Sequence, residues 1–253
     1  MSDSIHRVNH EIRQRRLVVL KVTDLTPRMR RITLGGAELA GFTSLGADDH
    51  IKLLFATTPE QQHAIDARNL GRDGGARPTM REYTPRRIDL VNLELDIDFV
   101  LHGDGPASTW AAQAAPGQTL NIAGPRASMV VPDIFDSYLL IGDETAIPAI
   151  ARRLEELPAG RKVLAVIQVE DEQERQALAS QAQVEVIWVR RHEQDLLGVV
   201  QHLALPEGRL YSWVALEKSL TRQAKTLLLE KGVQEDALKA AAYWRADGTA
   251  DDE

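Results

Sequence analysis

The chain has 253 residues, of which 43% are apolar and 26% charged, the composition of a globular protein rather than a disordered, collagen-like or coiled-coil one. It contains no cysteine, which excludes disulfides, thiolate metal sites, iron–sulfur clusters and cysteine nucleophiles, so any redox chemistry needs an organic cofactor or a metal on nitrogen and oxygen ligands. The net charge is −7, with eight basic and three acidic side chains in residues 1–31 and −12 on the remainder; so acidic a body argues against nucleic acid as a partner.

In chain order, residues 16–23, 30–34, 51–56 and 93–101 are predicted strands separated by turn clusters. The run from Leu93 to Phe99 alternates strictly, apolar at 93, 95, 97 and 99 and acidic at 94, 96 and 98, giving one buried face and one that is wet or lined. Strands at this spacing with little helical pattern between them predict an antiparallel barrel or sandwich. Residues 71–78 form a Gly- and Arg-rich loop. Past Asp136 the rhythm changes: 138–141, 162–169, 184–189 and 210–215 are short apolar strands with helices filling the gaps, the grammar of a parallel sheet. Ile147, Ile150, Ala151, Leu154 and Leu157 share one helical face after a Thr145 cap, and Pro148 falls in the first turn. Pro132 and Asp133 mark a boundary near 131–137, which divides the chain into domains 14–131 and 137–248 and leaves 247–253 as a frayed acidic tail.

Apolar runs fall well short of the ~18 residues of a membrane span, and 17–20 is too short for a secretory signal. A cytoplasmic monomer without integral membrane contact is expected.

Ligands of open α/β sheets bind at the carboxyl ends of the strands, where this chain reads Gly142-Asp-Glu-Thr-Ala-Ile-Pro148. Asp143 and Glu144 would repel a pyrophosphate, so either they turn toward ribose hydroxyls or the phosphates sit elsewhere. The densest constellation is Arg81-Glu-Tyr-Thr-Pro-Arg86, then His102-Gly-Asp-Gly-Pro-Ala-Ser-Thr-Trp110, then Gly124-Pro-Arg126. On an extended strand Arg81 and Tyr83 share a face, where a guanidinium takes phosphate and a ring stacks on a flat heterocycle. The segment 103–108 precedes a predicted helix, 109–115, whose N–H groups make an anion site. Two phosphate-compatible sites suggest a dinucleotide. Singly, each also has a plain structural reading: a surface strand pair, a turn, and Ser108 as a helix cap.

Together, Arg81-x-Tyr-Thr, His102-Gly-Asp-Gly-Pro-Ala-Ser-x-Trp, Pro116-Gly, Gly124-Pro-Arg, Leu140-Ile-Gly-Asp-Glu-Thr-Ala-Ile-Pro-Ala and Tyr243-Trp-Arg resemble the siderophore-interacting proteins, flavin-dependent ferric-chelate reductases related to ferredoxin–NADP reductases. The resemblance spans about residues 14 to 248. It implies an N-terminal six-stranded antiparallel barrel that binds FAD and a C-terminal Rossmann-like α/β domain that receives NADPH or NADH. It implies Arg81 on the FAD phosphates, Tyr83 along the isoalloxazine and Thr84 near its reactive N5 edge, the last two as the catalytic pair. It also implies Ala107 and Ser108 on the pyrophosphate, and Asp98, Val100 and His102 with their strand beside the flavin. Asp143, Glu144, Thr145, Ala146 and Glu217 would border the nicotinamide nucleotide. Two positions depart from type, Leu216 and Ala242 standing where relatives commonly have glycine; the larger side chain of Leu216 is expected to narrow the nucleotide cleft.

The implied reaction carries a hydride from NAD(P)H to flavin and single electrons onward to Fe(III) in a chelate. Ferrous iron is held more weakly by hard oxygen donors, so reduction frees the metal. Ferric siderophores and ferric citrate are often anionic, so a basic rim is expected, with Lys52 and Arg126 as substrate contacts and Arg86 and Arg87 as weaker candidates. No metal site is expected in the protein, because its seven histidines show no ligand spacing. Ser108 lacks the G-x-S-x-G elbow of a hydrolase. Alternatives are a flavin reductase serving an electron-transfer protein and a non-catalytic siderophore-binding flavoprotein.

Overall fold

A computed structural model describes residues 4–69, 75–103 and 105–246. Part of the Gly- and Arg-rich loop (71–74), Asp104 and the acidic tail 247–253 lie outside the described residues. The described residues divide into two compact units, one within 7–130 and one within 131–246 that also takes in 4–6.

The first unit holds β1 (His6–Asn9), β2 (Gln14–Thr26), β3 (Met29–Gly35), β4 (Ile51–Phe55), α1 (Pro59–Asp66), β5 (Thr79–Tyr83), β6 (Arg87–Asp89), β7 (Glu94–Val100), α2 (Pro106–Gln113), β8 (Thr119–Ala123) and β9 (Ala127–Val130). Seven strands form one antiparallel sheet in the order β5-β4-β8-β2-β3-β7-β6, and β1 pairs with β9. Alternate residues of these strands, Leu17, Val19, Ile32, Leu34, Ile51, Leu53, Leu95, Ile97, Leu120 and Ile122 among them, make the core with Ala107, Ala111 and Ala114 of the α2 segment. That is the period of two that strand geometry imposes, and each buried aliphatic contributes about 1.5–3 kcal/mol.

The expected six-stranded barrel is not what forms. Among the described residues the sheet has seven strands and two edges, β5 and β6, with no ladder between them. The reason lies at Thr84-Pro85-Arg86: proline has no N–H to donate and restricts the residue before it. The chain turns inward there, all three residues being buried, and Arg86 N–H donates to Asp96 O at 2.9 Å, which starts β6 on β7 instead.

The acidic face of β7 is lined rather than wet. Asp98 takes a bidentate pair from Arg31 at 2.7 and 2.8 Å and lies 3.9 Å from Arg86, while Asp96 accepts from Thr33 Oγ1 and Arg87 Nε, both at 2.7 Å. Both carboxylates are buried. Bonds to Asp96 and Glu94 push the Arg87 guanidinium above its ordinary value. Arg86 is thus buried in this network, while Arg87, itself exposed, is paired with Asp96 and Glu94 at its edge.

The second unit holds β10 (Ser137–Gly142), α3 (Ile147–Glu156), β11 (Lys162–Val169), β12 (Gln183–Arg190), α4 (Leu196–His202), β13 (Leu210–Glu217), α5 (Lys218–Glu230) and β14 (Leu238–Trp244). Its sheet is wholly parallel in the order β12-β11-β10-β13-β14. β10, central and buried along its whole length, reads as the continuous apolar run that two covered faces require.

Helices do not fill every gap: between β11 and β12 there is only a 3-10 turn, Glu172–Glu174. The following 176–183 segment offers one large apolar residue, Leu178, and so no stripe for a helix to bury. Nor does Thr145 cap α3. A 3-10 turn, Glu144–Ala146, leads into that helix; Asp143 caps the turn, and α3 itself starts from Ala146 without a side-chain cap. Pro148 does occupy the first turn of α3. Among the described residues no helix is long and apolar enough to cross a membrane.

Candidate functional site

In the first unit, β4–β5 pairing sets Arg81 opposite Leu53 and Tyr83 opposite Ile51. The Tyr83 ring lies 4.6 Å from Phe99, Phe99 lies 5.6 Å from Trp110, and Trp110 lies 6.2 Å from Phe55, measured between ring centroids. Burial pushes the Tyr83 phenol well above its usual value, Arg81 opposing weakly, so it stays neutral at working pH. Thr84, also buried, opens the proline turn.

The helix expected at 109–115 starts earlier, at Pro106, because proline fits the first helical position. Ser108 is therefore inside α2 rather than its cap. Its Oγ accepts from His102 N–H at 2.9 Å, tying the segment after β7 to the helix. The N-cap is Gly105, which has no side chain to offer the N–H groups of Ala107 and Ser108; the bond from Thr109 N–H to Gly105 O is 2.9 Å. A Cβ on Gly103 or Gly105 would meet nothing within 4 Å, so space before the helix is open.

Helix N–H groups, a guanidinium and a supported phenol ring are the donor set for a diphosphate joined to a flat heterocycle. These residues fit FAD. Asp98 turns its carboxylate to Arg31 instead, Val100 is half-buried and His102 exposed.

In the second unit the strand ends gather another set. A Cβ on Gly142 would overlap Ala146 and stand 3.1 Å from Ile150, so only glycine lets the turn close here. Asp143 Oδ1 accepts from Thr145 N–H at 2.9 Å and Thr145 Oγ1 at 2.6 Å, and Oδ2 accepts from Trp244 Nε1 at 2.7 Å. Glu144 pairs with Arg191, which also reaches Gln168 at 3.2 Å and Glu170 at 3.3 Å. Both carboxylates are therefore turned onto protein partners, and burial raises both above their usual range. Glu217 ends β13 and caps α5, accepting from Ser219 and Leu220 N–H at 2.6 and 3.2 Å.

Leu216, whose bulk the resemblance sets at the nucleotide cleft, packs in the core. Alternation along β13 points it inward, where it is fully buried with Ile141, Val214 and Ala224. Ala242 is exposed. Trp244 and Arg191 are the partners that reading the sequence missed; Tyr243-Trp-Arg and the Arg190-Arg191 pair at the end of β12 were their available signals.

Lys52 and Arg126 are brought to one end of the first unit's sheet. Lys52 faces Glu82 on β5 and Ala123 on β8, and Arg126 follows Ala123 by three residues. Lys52 Nζ and His50 Nε2 each lie 3.7 Å from Glu82 Oε1, and Arg126 is exposed.

A profile of the siderophore-interacting FAD-binding domain matches residues 18–129, and one of the siderophore-interacting protein matches residues 135–247. The chain is 35% identical over 248 residues to the NADPH-dependent ferric-chelate reductase of Escherichia coli K12, covering 95% of this chain and 96% of that one. It is 30% identical over 259 residues to the ferric vibriobactin reductase of Vibrio cholerae, covering 97% and 93%. The crystal structure of a siderophore utilization protein from T. fusca superposes with a TM-score of 0.86 at 35% identity, covering 98% of each chain.

Proposed function

The chain belongs to the siderophore-interacting protein family, and from that premise we propose that it is a flavin-dependent reductase carrying electrons from NADPH to Fe(III) in a ferric siderophore or related chelate and freeing Fe(II) in the cytoplasm. The observation that carries this reading is that the Tyr83 ring and α2, whose N-cap glycine offers no side chain to the helix N–H groups, rest on one shared ring, Phe99, in the unit that also bears Lys52 and Arg126. FAD, when bound, supplies the conversion of a two-electron donor into one-electron steps.

The protein's part is to bind, orient and attract. Residues 14–131 hold FAD: Arg81 and the N–H groups of Ala107 and Ser108 take the diphosphate, Tyr83 lies along the ring, and Thr84 offers its hydroxyl near the reactive edge. Residues 137–248 take the nucleotide, with Asp143 to Ala146 and Glu217 beside it. Asp143 and Glu144 serve there through the fold of the turn, since their carboxylates are committed to Thr145, Trp244 and Arg191. Lys52 and Arg126 draw in an anionic chelate, and Glu82 tempers Lys52. The burial of Leu216 in the core supports the catalyst over the non-catalytic carrier.

Anaerobic spectroscopy tests the assignment. Purified protein is expected to be yellow, to bleach with NADPH, and to recover colour on ferric citrate while a ferrous trap develops its own. A colourless protein that takes up no added FAD would sink the reading. A yellow protein that NADPH cannot bleach would leave the carrier.

A further inference from the structure

Ser128 on β9 is fully buried, and its hydroxyl is the centre of a three-residue chain. His10 Nε2 lies 2.7 Å from Ser128 Oγ, which lies 2.5 Å from Asp49 Oδ2 and accepts from Leu45 N–H at 3.0 Å. A hydroxyl has one proton and two lone pairs. With the proton given to the Asp49 carboxylate and one lone pair taken by Leu45, His10 must be the donor, through Nε2–H. The order is aspartate, serine, histidine. A hydrolytic triad places histidine in the middle and exposes the serine, so this constellation is no nucleophile.

What the chain joins decides its use. Asp49 Oδ2 also accepts from Ser44 Oγ at 2.8 Å and Gly46 N–H at 3.2 Å, closing the loop that leads through His50 into β4 and Lys52. Ser128 stands two residues past Arg126, and His10 N–H donates to Arg126 O at 2.9 Å. The same arm grips Gly124, whose N–H donates to Arg13 O at 3.2 Å and whose carbonyl accepts from buried Arg15 at 3.3 Å. A Cβ on Gly124 would stand 3.9 Å from His50 O, so the turn before Arg126 packs on the start of β4.

We propose that His10 is a positioning residue for the electron acceptor: through Ser128 and Asp49 it holds the 124–126 turn and the 44–52 segment in fixed relation, so that His50, Lys52 and Arg126 meet an anionic ferric chelate together. This rests on the reading of Lys52 and Arg126 as acceptor contacts, and the test separates the two. Gallium(III) citrate, a redox-inert counterpart of ferric citrate, is titrated calorimetrically into the FAD-loaded protein, and KM and kcat are measured with ferric citrate and NADPH.

His10→Ala is expected to weaken gallium citrate binding and raise the KM for ferric citrate about tenfold, equivalent to about 1.4 kcal/mol of binding. Its kcat, KM for NADPH and FAD content stay at wild-type values. His10→Gln restores binding, because its amide carries an N–H donor at the reach of Nε2. In the wild-type protein, histidine-selective nitrogen NMR should find the His10 proton on Nε2. Normal gallium citrate binding by His10→Ala, alongside weakened binding by the Lys52→Ala/Arg126→Ala pair, overturns the positioning role and leaves the acceptor site standing. Unchanged binding by that pair overturns the acceptor reading and the proposal with it. Equal impairment of His10→Ala and His10→Gln, or an Nδ1–H tautomer in the wild type, also overturns the proposal.

Discussion

Trp244 Nε1 donates to Asp143 Oδ2 over 2.7 Å, joining the last residue of β14 to the turn that follows β10. Asp143 is only 1% exposed, so water offers that oxygen no replacement partner. Trp244→Phe keeps a ring and deletes the donor; an unsatisfied buried acceptor costs about 1–3 kcal/mol. The α/β unit should unfold at lower urea, and the KM for NADPH should rise with FAD content unchanged. A Phe variant as stable as its parent would show that the bond contributes nothing.

Burial raises the Asp143 carboxyl above its ordinary 3.8, against the pull of its bonds from Thr145 and Trp244. A native state that holds its proton more tightly than the unfolded chain loses stability when the group ionises. The cost is absent below the unfolded value and complete once the pH has passed the raised folded one. Against Asp143→Asn, which carries no charge at any pH, wild type should gain stability as the pH falls from above the raised folded value to the ordinary 3.8. Urea unfolding of both proteins across that range measures the difference, and a pH-independent gap would exclude Asp143 as its source.

Leu216→Ala tests where that side chain points. Removing it from a fully buried site in the second unit's core should cost about 2–5 kcal/mol and leave the KM for NADPH where it was. A lower KM without loss of stability would place Leu216 against the nucleotide after all.

What the sequence shows plainly is whatever depends on near neighbours. The period of two from Leu93 to Phe99 marks β7, the single face of Ile147, Ile150 and Leu154 marks α3, and Arg81-x-Tyr-Thr marks the edge strand that carries the ring. What it hides depends on residues far apart in the chain. Nothing near Asp98 announces Arg31, 67 residues away, nothing near Asp143 announces Trp244, 101 away, and His10 and Ser128 are separated by 118. The open sheet edge is an intermediate case. Pro85 is visible, but that it breaks a ladder follows only once β5 and β6 are known to be edges.

Tyr83 and α2 share Phe99 as a common support, which predicts that flavin affinity depends on a residue placed under the ring rather than against the cofactor. Phe99 is fully buried and touches both the Tyr83 and Trp110 rings. Aromatic pairs of this kind contribute about 0.5–1.5 kcal/mol beyond their buried area. Phe99→Leu keeps an apolar filling but frees Tyr83 to tilt and α2 to shift, so it should weaken FAD binding about tenfold, the equivalent of about 1.4 kcal/mol. Ile97→Val is the control. It lies on the same strand and in the same core but has no ring to take part in the Tyr83–Phe99–Trp110 stack, and should cost about 0.5–1.5 kcal/mol of stability with FAD affinity unchanged. Fluorescence titration of the apoproteins with FAD, beside their urea unfolding curves, distinguishes the two. If both variants lose affinity in proportion to stability, the aromatic support has no role of its own in seating the cofactor.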